Sequence, residues 1–315
     1  MTFKCDLEYK GDIYYRMRRF KGVPFIVILA LLTVLLLVTF VEGVFTEKTY
    51  VKETNKDLPL SQSVKSDATS NLESSNDNLL NDERQKEKYH HISIYYLDDF
   101  KELMPITKET LDWAMVKNKQ VFGNVETEPV QLVMFENKDN LSKFTALDDV
   151  SGFYSDFWKL IAIHYTNKDW ILERRETPLY FFQKAILHEY THYIFRRKIE
   201  DSDIRVSDYP VWFQEGVAEY IGNDGTEVYY SEFQLVPFAQ LFSGEQWSKG
   251  RQKDGSGVYK QSYFAIKYLT DTYDEIIIKD IIRKTEQNGD FETGFTEATG
   301  ITLHDLENNF LNSYK

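Results

Sequence analysis

The stretch ILHEYTHYIF, residues 186–195, sets two histidines four positions apart with a glutamate directly after the first. Positions i and i+4 of a helix share one face about a turn apart, so His188 and His192 can converge on a single tetrahedral cation. Glu189 then lies beside that cation, placed to act on water rather than to bind metal. Cys5 is the only cysteine, so any metal must be held by imidazole and carboxylate rather than by a thiolate cluster. PVWFQEGVAEY supplies the carboxylate: Glu215 stands 23 residues after His192 on a second helical segment opened by Pro210. A fold that uses both motifs must pack two helices so that Glu215 meets both imidazoles. Glu219, one turn beyond Glu215 on the same face, is in place to hydrogen-bond the outer nitrogen of a ligating histidine. The competing reading makes Glu215 and Glu219 two solvated carboxylates, but Trp212, Phe213, Val217 and Tyr220 leave a solvent face short of room. Gly216 costs such a helix about 1 kcal/mol relative to alanine, which suits close approach of another helix or a site needing space.

A second constraint lies near the N-terminus. GVPFIVILALLTVLLLVTFV, residues 22–41, carries no charge, and about 20 apolar residues at about 1.5 Å each span a hydrocarbon core of about 30 Å. The run is longer than the apolar part of a cleaved leader and no small-x-small site follows it, so residues 22–44 are expected to be an uncleaved transmembrane anchor. Arg16, Arg18, Arg19 and Lys21 crowd its N-terminal flank, which places residues 1–21 in the cytoplasm and the bulk of the chain outside the cell. Residues 45–88 are expected to be a disordered tether, because 51–88 hold no aromatic residue and too little apolar area to offset the entropy of ordering. Aromatic residues return at Tyr89 and stay dense to Tyr314, which sets the folded domain at 89–315. A net charge of −13 offers no basic footprint, so no nucleic-acid partner is expected.

Within the domain, HISIYYL (91–97) and PVQLVMFE (129–136) read as strands, and SGFYSDFWKLIAIHY (151–165) as a short hairpin or an edge strand. KETLDWAMVKNKQVFG (108–123) has helical spacing with Gly123 as its stop. From residue 179 the pattern is helical: 179–198, 210–222, 261–273 and 275–289, then two short helices separated by Gly300, with Thr302 as an N-cap and Glu307 a few residues later. A small mixed sheet followed by a helical half is an α+β arrangement. His90, His91 and His164 read as surface or core residues, RRK (196–198) as cations at a helix C-terminus, and ERR (173–175) as a solvated loop.

HEYTH followed by WFQEGVAEY resembles the gluzincin metallopeptidases, in particular thermolysin-like domains whose second helix carries a W-x-x-E-G-x-A-x-Y pattern. The resemblance extends over about residues 90–315 and includes FAQLFS (238–243) and YKQSYFAIKYL (259–269). It implies a thermolysin-like zincin fold and one zinc ion per domain, bound by His188, His192 and Glu215 with Glu189 as general base. It also implies a hydroxyl donor for the oxyanion, for which Tyr259 is the first candidate and Tyr263 the second. The G-x-M-E-N element of the aminopeptidase branch is missing upstream of His188, so cleavage within a peptide or protein substrate is favoured over trimming from its end. The expectation is a membrane-anchored extracellular zinc endopeptidase. Two alternatives stay open: a non-catalytic extracellular binding or sensory module on the same fold, and a zinc hydrolase of cell-envelope peptides.

Overall fold

The computed structural model describes residues 84–145 and 150–314. The segments expected to be cytoplasmic (1–21) and membrane-spanning (22–44), with most of the expected tether, lie outside the described residues. Among the described residues no helix is long and apolar enough to cross a membrane.

Five strands form one sheet: β1 (Gln85–Tyr89), β2 (Ile92–Tyr96), β3 (Val130–Phe135), β4 (Gly152–Ser155) and β5 (Leu160–His164), in the order β1-β2-β3-β5-β4. β3 runs parallel to both β2 and β5, while β1 and β4 join antiparallel at the two edges. The sheet is therefore mixed. Side chains alternate between its faces: Leu132, Met134, Tyr154, Ile161 and Ile163 enter the main core, whereas Val133, Phe135, Phe153, Leu160 and Ala162 enter a smaller one. Helix α1 (Met104–Phe122) contributes Leu111, Ala114, Val121 and Phe122 to the main core, and α2 (Lys138–Thr145) caps the smaller one with Leu141 and Phe144. Gly123 ends α1 with φ +80°, a backbone conformation that a side chain disfavours.

β1 begins at Gln85, inside the stretch read as tether. Its residues are polar and largely exposed, so composition gives no sign of it. Backbone pairing with β2 holds it, and the preceding Arg84 donates to Met134 O at 2.6 Å with its guanidinium over the Phe135 ring.

The helical half comprises α3 (Lys168–Leu172), α4 (Glu176–Ile199), α5 (Val211–Gly222), α6 (Gly244–Gln252), α7 (Val258–Tyr273), α8 (Ile276–Asn288), α9 (Phe291–Thr299) and α10 (Leu303–Asn309). α10 is capped by Thr302, as its sequence suggests, but Asp305 rather than Glu307 closes the reciprocal pair of hydrogen bonds. Glu307 instead accepts from the backbone N–H of Phe238. α5 is buried along nearly its whole circumference, and Trp212 stacks on Phe238 with ring centroids 4.2 Å apart. Burying a side chain of this size contributes about 1.5–3 kcal/mol. The helices α5 and α7 meet most closely at Gly216, where a Cβ would stand 2.8 Å from both Ile266 Cγ1 and the Ser262 carbonyl oxygen. Glycine is therefore required by the closeness of the two helices.

Candidate metal centre

α4 and α5 each present one functional stripe, and the two stripes meet. Tyr180, Lys184, His188 and His192 recur every four residues along α4, so they share a face. Glu215, Glu219 and Asn223 do the same on α5 and at its C-cap. α5 starts at a fixed height because Pro210 sits at its N-cap, with Val211 N–H donating to Phe242 O (2.8 Å) and Trp212 N–H to Leu241 O (3.1 Å).

Three donor atoms converge where the stripes face each other. His188 Nε2 and His192 Nε2 are 3.1 Å apart, and Glu215 Oε2 lies 3.3 Å from the first and 3.6 Å from the second. All three residues are buried. A tetrahedral zinc ion with bonds of about 2.0–2.1 Å separates its ligand atoms by about 3.3–3.4 Å, so this triangle has the dimensions of one face of such a site. Two imidazole nitrogens at 3.1 Å repel unless a proton or a metal lies between them, and Glu215 has no hydrogen-bond partner for either buried oxygen. The donor set of two imidazoles and one carboxylate suits zinc. Among the described residues this is the one such group of three.

Burial lowers the basicity of His188, but the Glu215 and Glu219 carboxylates outweigh it and raise its pKa to about 10. His192 goes the other way, its pKa lowered by burial against the pull of Glu215.

Behind the triangle, Glu219 Oε1 lies 3.2 Å from His188 Nδ1 and Oε2 lies 2.9 Å from Lys184 Nζ. Asn223 Nδ2 donates to Oε2 at 3.3 Å and is itself fixed by the Tyr180 hydroxyl, which donates to Asn223 Oδ1 at 2.6 Å. Burial opposes ionisation of Glu219, yet Lys184 and His188 hold its pKa at about 2. Lys184 went unnoticed in the sequence, where a lysine on a helix face reads as solvated. Its side chain is only 10% exposed.

Glu189 is fully buried, and neither of its carboxylate oxygens has a hydrogen-bond partner. Burial pushes its pKa well above the usual range against the attraction of His188, and Glu215 and Glu219 push the same way. Gly152 of the edge strand β4 closes over it: a Cβ there would stand 2.6 Å from Glu189 Oε1. The tyrosine candidates differ in their surroundings. Tyr259 is buried against Trp247, with ring centroids 5.0 Å apart, and it feels the charge of Glu215 most among the acidic groups. Tyr263, one turn further along α7, has Asp271 as its strongest charged neighbour, and its pKa is raised to about 12 chiefly by burial.

His90 is exposed beside Asp112 at 3.4 Å, and His91 stacks on Tyr193. Arg174 and Arg175 pair with Glu109 and Glu173 at the surface. Arg196 and Arg197 do not serve as helix-end cations alone, because both reach Asp156 in the β4–β5 turn.

A model of the peptidase MA superfamily matches residues 110–315. An uncharacterized protein of Bacillus subtilis (strain 168), YhcO, is 34% identical over 231 residues, which cover 73% of this chain and 72% of that one. Among solved structures, Legionella pneumophila aminopeptidase A in complex with aspartic acid is 12% identical with a TM-score of 0.49, and the match covers 72% of this chain. The chain spans only 28% of that enzyme's length.

Proposed function

The chain belongs to the peptidase MA superfamily, and from that premise we propose that it hydrolyses peptide bonds with one zinc ion held by His188, His192 and Glu215. The observation that carries this reading is the buried triangle of donor atoms with edges of 3.1, 3.3 and 3.6 Å. Zinc bound there supplies a Lewis acid for the scissile carbonyl and lowers the pKa of water toward about 7. Glu189, buried beside His188, takes the proton from the attacking water and passes it to the leaving amine. Glu219 Oε1, 3.2 Å from His188 Nδ1, is placed to hold the ring with Nε2 toward the metal. Tyr259, which unlike Tyr263 feels the charge of Glu215, is the first candidate to donate to the developing oxyanion. Among the described residues β4 is an edge strand, and its outer edge offers an extended peptide a strand to pair with.

Cleavage within a chain is preferred over end trimming, because the sequence has no G-x-M-E-N element to hold a terminal amine. The charge-free run at 22–41 and the basic residues before it support an anchored protein with its catalytic domain outside the cell. A non-catalytic binding module accounts less well for Glu189. A buried carboxylate with no hydrogen-bond partner is costly and would serve no purpose in such a module. Glu189→Gln in the full-length protein tests the assignment. The variant is expected to keep its zinc and lose peptide hydrolysis by about 100-fold or more. Hydrolysis at the parent rate would refute the role of Glu189.

A further inference from the structure

The acidic residue in the β4–β5 turn is tied to the helix that carries the histidines. Asp156 directly follows the last residue of β4 and accepts four hydrogen bonds: from the Tyr154 hydroxyl (2.9 Å), Lys159 Nζ (3.0 Å), Arg196 Nε (2.9 Å) and Arg197 NH2 (3.1 Å). Both arginines lie on α4, a turn or so beyond His192. The Arg197 side chain is fully buried and also binds Glu128 (2.8 Å) and Glu200. Burial alone would raise the pKa of Asp156, but its hydrogen bonds and the nearby cations hold it below the ordinary carboxylate range.

The register of β4 shows what this tie controls. His164 N–H donates to Ser151 O, so hydrogen-bonded pairs in the antiparallel ladder fall at Ser151–His164 and, by alternation, at Phe153–Ala162 and Ser155–Leu160. The backbone groups of Gly152 and Tyr154 therefore point away from β5, toward the open edge. These two residues are the ones that can pair with an added strand, and each is fixed against α4 by a different contact. Gly152 abuts Glu189, and Tyr154 is bonded through its hydroxyl to Asp156 and thence to Arg196 and Arg197.

We propose that Asp156 is a positioning residue for substrate, setting the open edge of β4 at a fixed distance and tilt from the helix that bears His188, Glu189 and His192. This rests on the reading of the centre as a peptidase whose substrate pairs with β4. Asp156 touches neither metal ligand nor substrate, so its loss should leave metal binding alone and reduce the use of substrates that extend along the strand.

The test compares full-length parent, Asp156→Asn and the milder Tyr154→Phe. Each is assayed on an extended peptide of about eight residues and on a short substrate spanning only the scissile bond. Zinc content and amide hydrogen exchange at Phe153 and Ser155 are measured alongside. For Asp156→Asn we expect unchanged zinc and a fall in kcat/KM on the extended peptide of about 10- to 100-fold. The short substrate should change by less than about twofold. Tyr154→Phe should shift in the same direction by a smaller factor. Exchange at Phe153 and Ser155 should quicken while exchange in the middle of α4 does not. Equal losses on both substrates would reveal general destabilisation and overturn the proposal, as would no loss on either. If the parent cleaves neither substrate, the peptidase reading fails instead, and the exchange data still decide whether Asp156 holds the edge: unchanged exchange in Asp156→Asn overturns that as well.

Discussion

Substituting Gly152 by alanine adds one methyl group at the tightest contact in the candidate site. Gly152 has no positive φ that would disfavour a side chain, so the outcome depends on space alone. The new Cβ would stand 2.6 Å from Glu189 Oε1, 2.8 Å from Cγ and 3.0 Å from Cδ. Comfortable separations are about 3.5–4.0 Å, so the carboxylate or the strand must retreat by roughly 0.5–1 Å. Glu189 is fully buried, so any retreat of its carboxylate takes place inside the fold. Overpacking of this kind destabilises a fold by about 1–3 kcal/mol. A catalytic group displaced by about 1 Å loses about 100-fold in rate, equivalent to about 2.7 kcal/mol of barrier. Gly152→Ala is therefore expected to remain folded with its zinc, to melt at a lower temperature, and to lose about 100-fold in kcat on a peptide substrate. Metal analysis, a thermal melt and steady-state kinetics on the full-length protein measure all three. A variant with kcat within about twofold of the parent at equal zinc content would refute the argument that the bare α-carbon makes room for Glu189.

Three further outcomes follow from the geometry. Lys184→Met leaves the Glu219 carboxylate buried without its cation and should destabilise the fold by about 3 kcal/mol. Adding Glu219→Gln should recover part of that loss, and a denaturant titration in which the two losses simply add would contradict the pairing. Asp156 has a folded pKa below its unfolded value of about 3.9, so the stability it adds is fully present above that pH and lost as pH falls through the folded value. Acid titration of stability should therefore fall more steeply below about pH 4 in the parent than in Asp156→Asn, and identical slopes would contradict this. Tyr259→Phe should lower kcat by about 100-fold with little change in KM, whereas Tyr263→Phe should change kcat by less than about threefold; the reverse order would exchange their roles.

The three candidate ligands were legible in the sequence because they rest on spacings along single helices. His188, Glu189 and His192 share a turn, and Glu215 announces itself within a segment too apolar to leave a carboxylate in solvent. His188, His192 and Glu215 come together in the fold. What was hidden depends on contacts between elements. Lys184 is an ordinary helix lysine until α5 brings Glu219 against it. Gly152 could be read as part of a hairpin, but its use as space for Glu189 appears only when β4 lies across α4. Arg196 and Arg197 look like terminal cations because the sequence does not bring Asp156 beside them. β1 escaped notice because a polar edge strand is held through its backbone, which composition cannot register. The α+β class and the positions of the main helices were readable from hydrophobic periodicity, while the parallel pairing of β3 with both β2 and β5 was not.

Zinc content of the full-length protein, measured by elemental analysis beside its Glu215→Ala variant, bears most directly on the central claim. The account predicts about one zinc per chain in the parent and a marked loss in the variant, with both proteins folded. A folded parent that takes up no zinc when it is supplied, or a variant that binds as much as the parent, would contradict it.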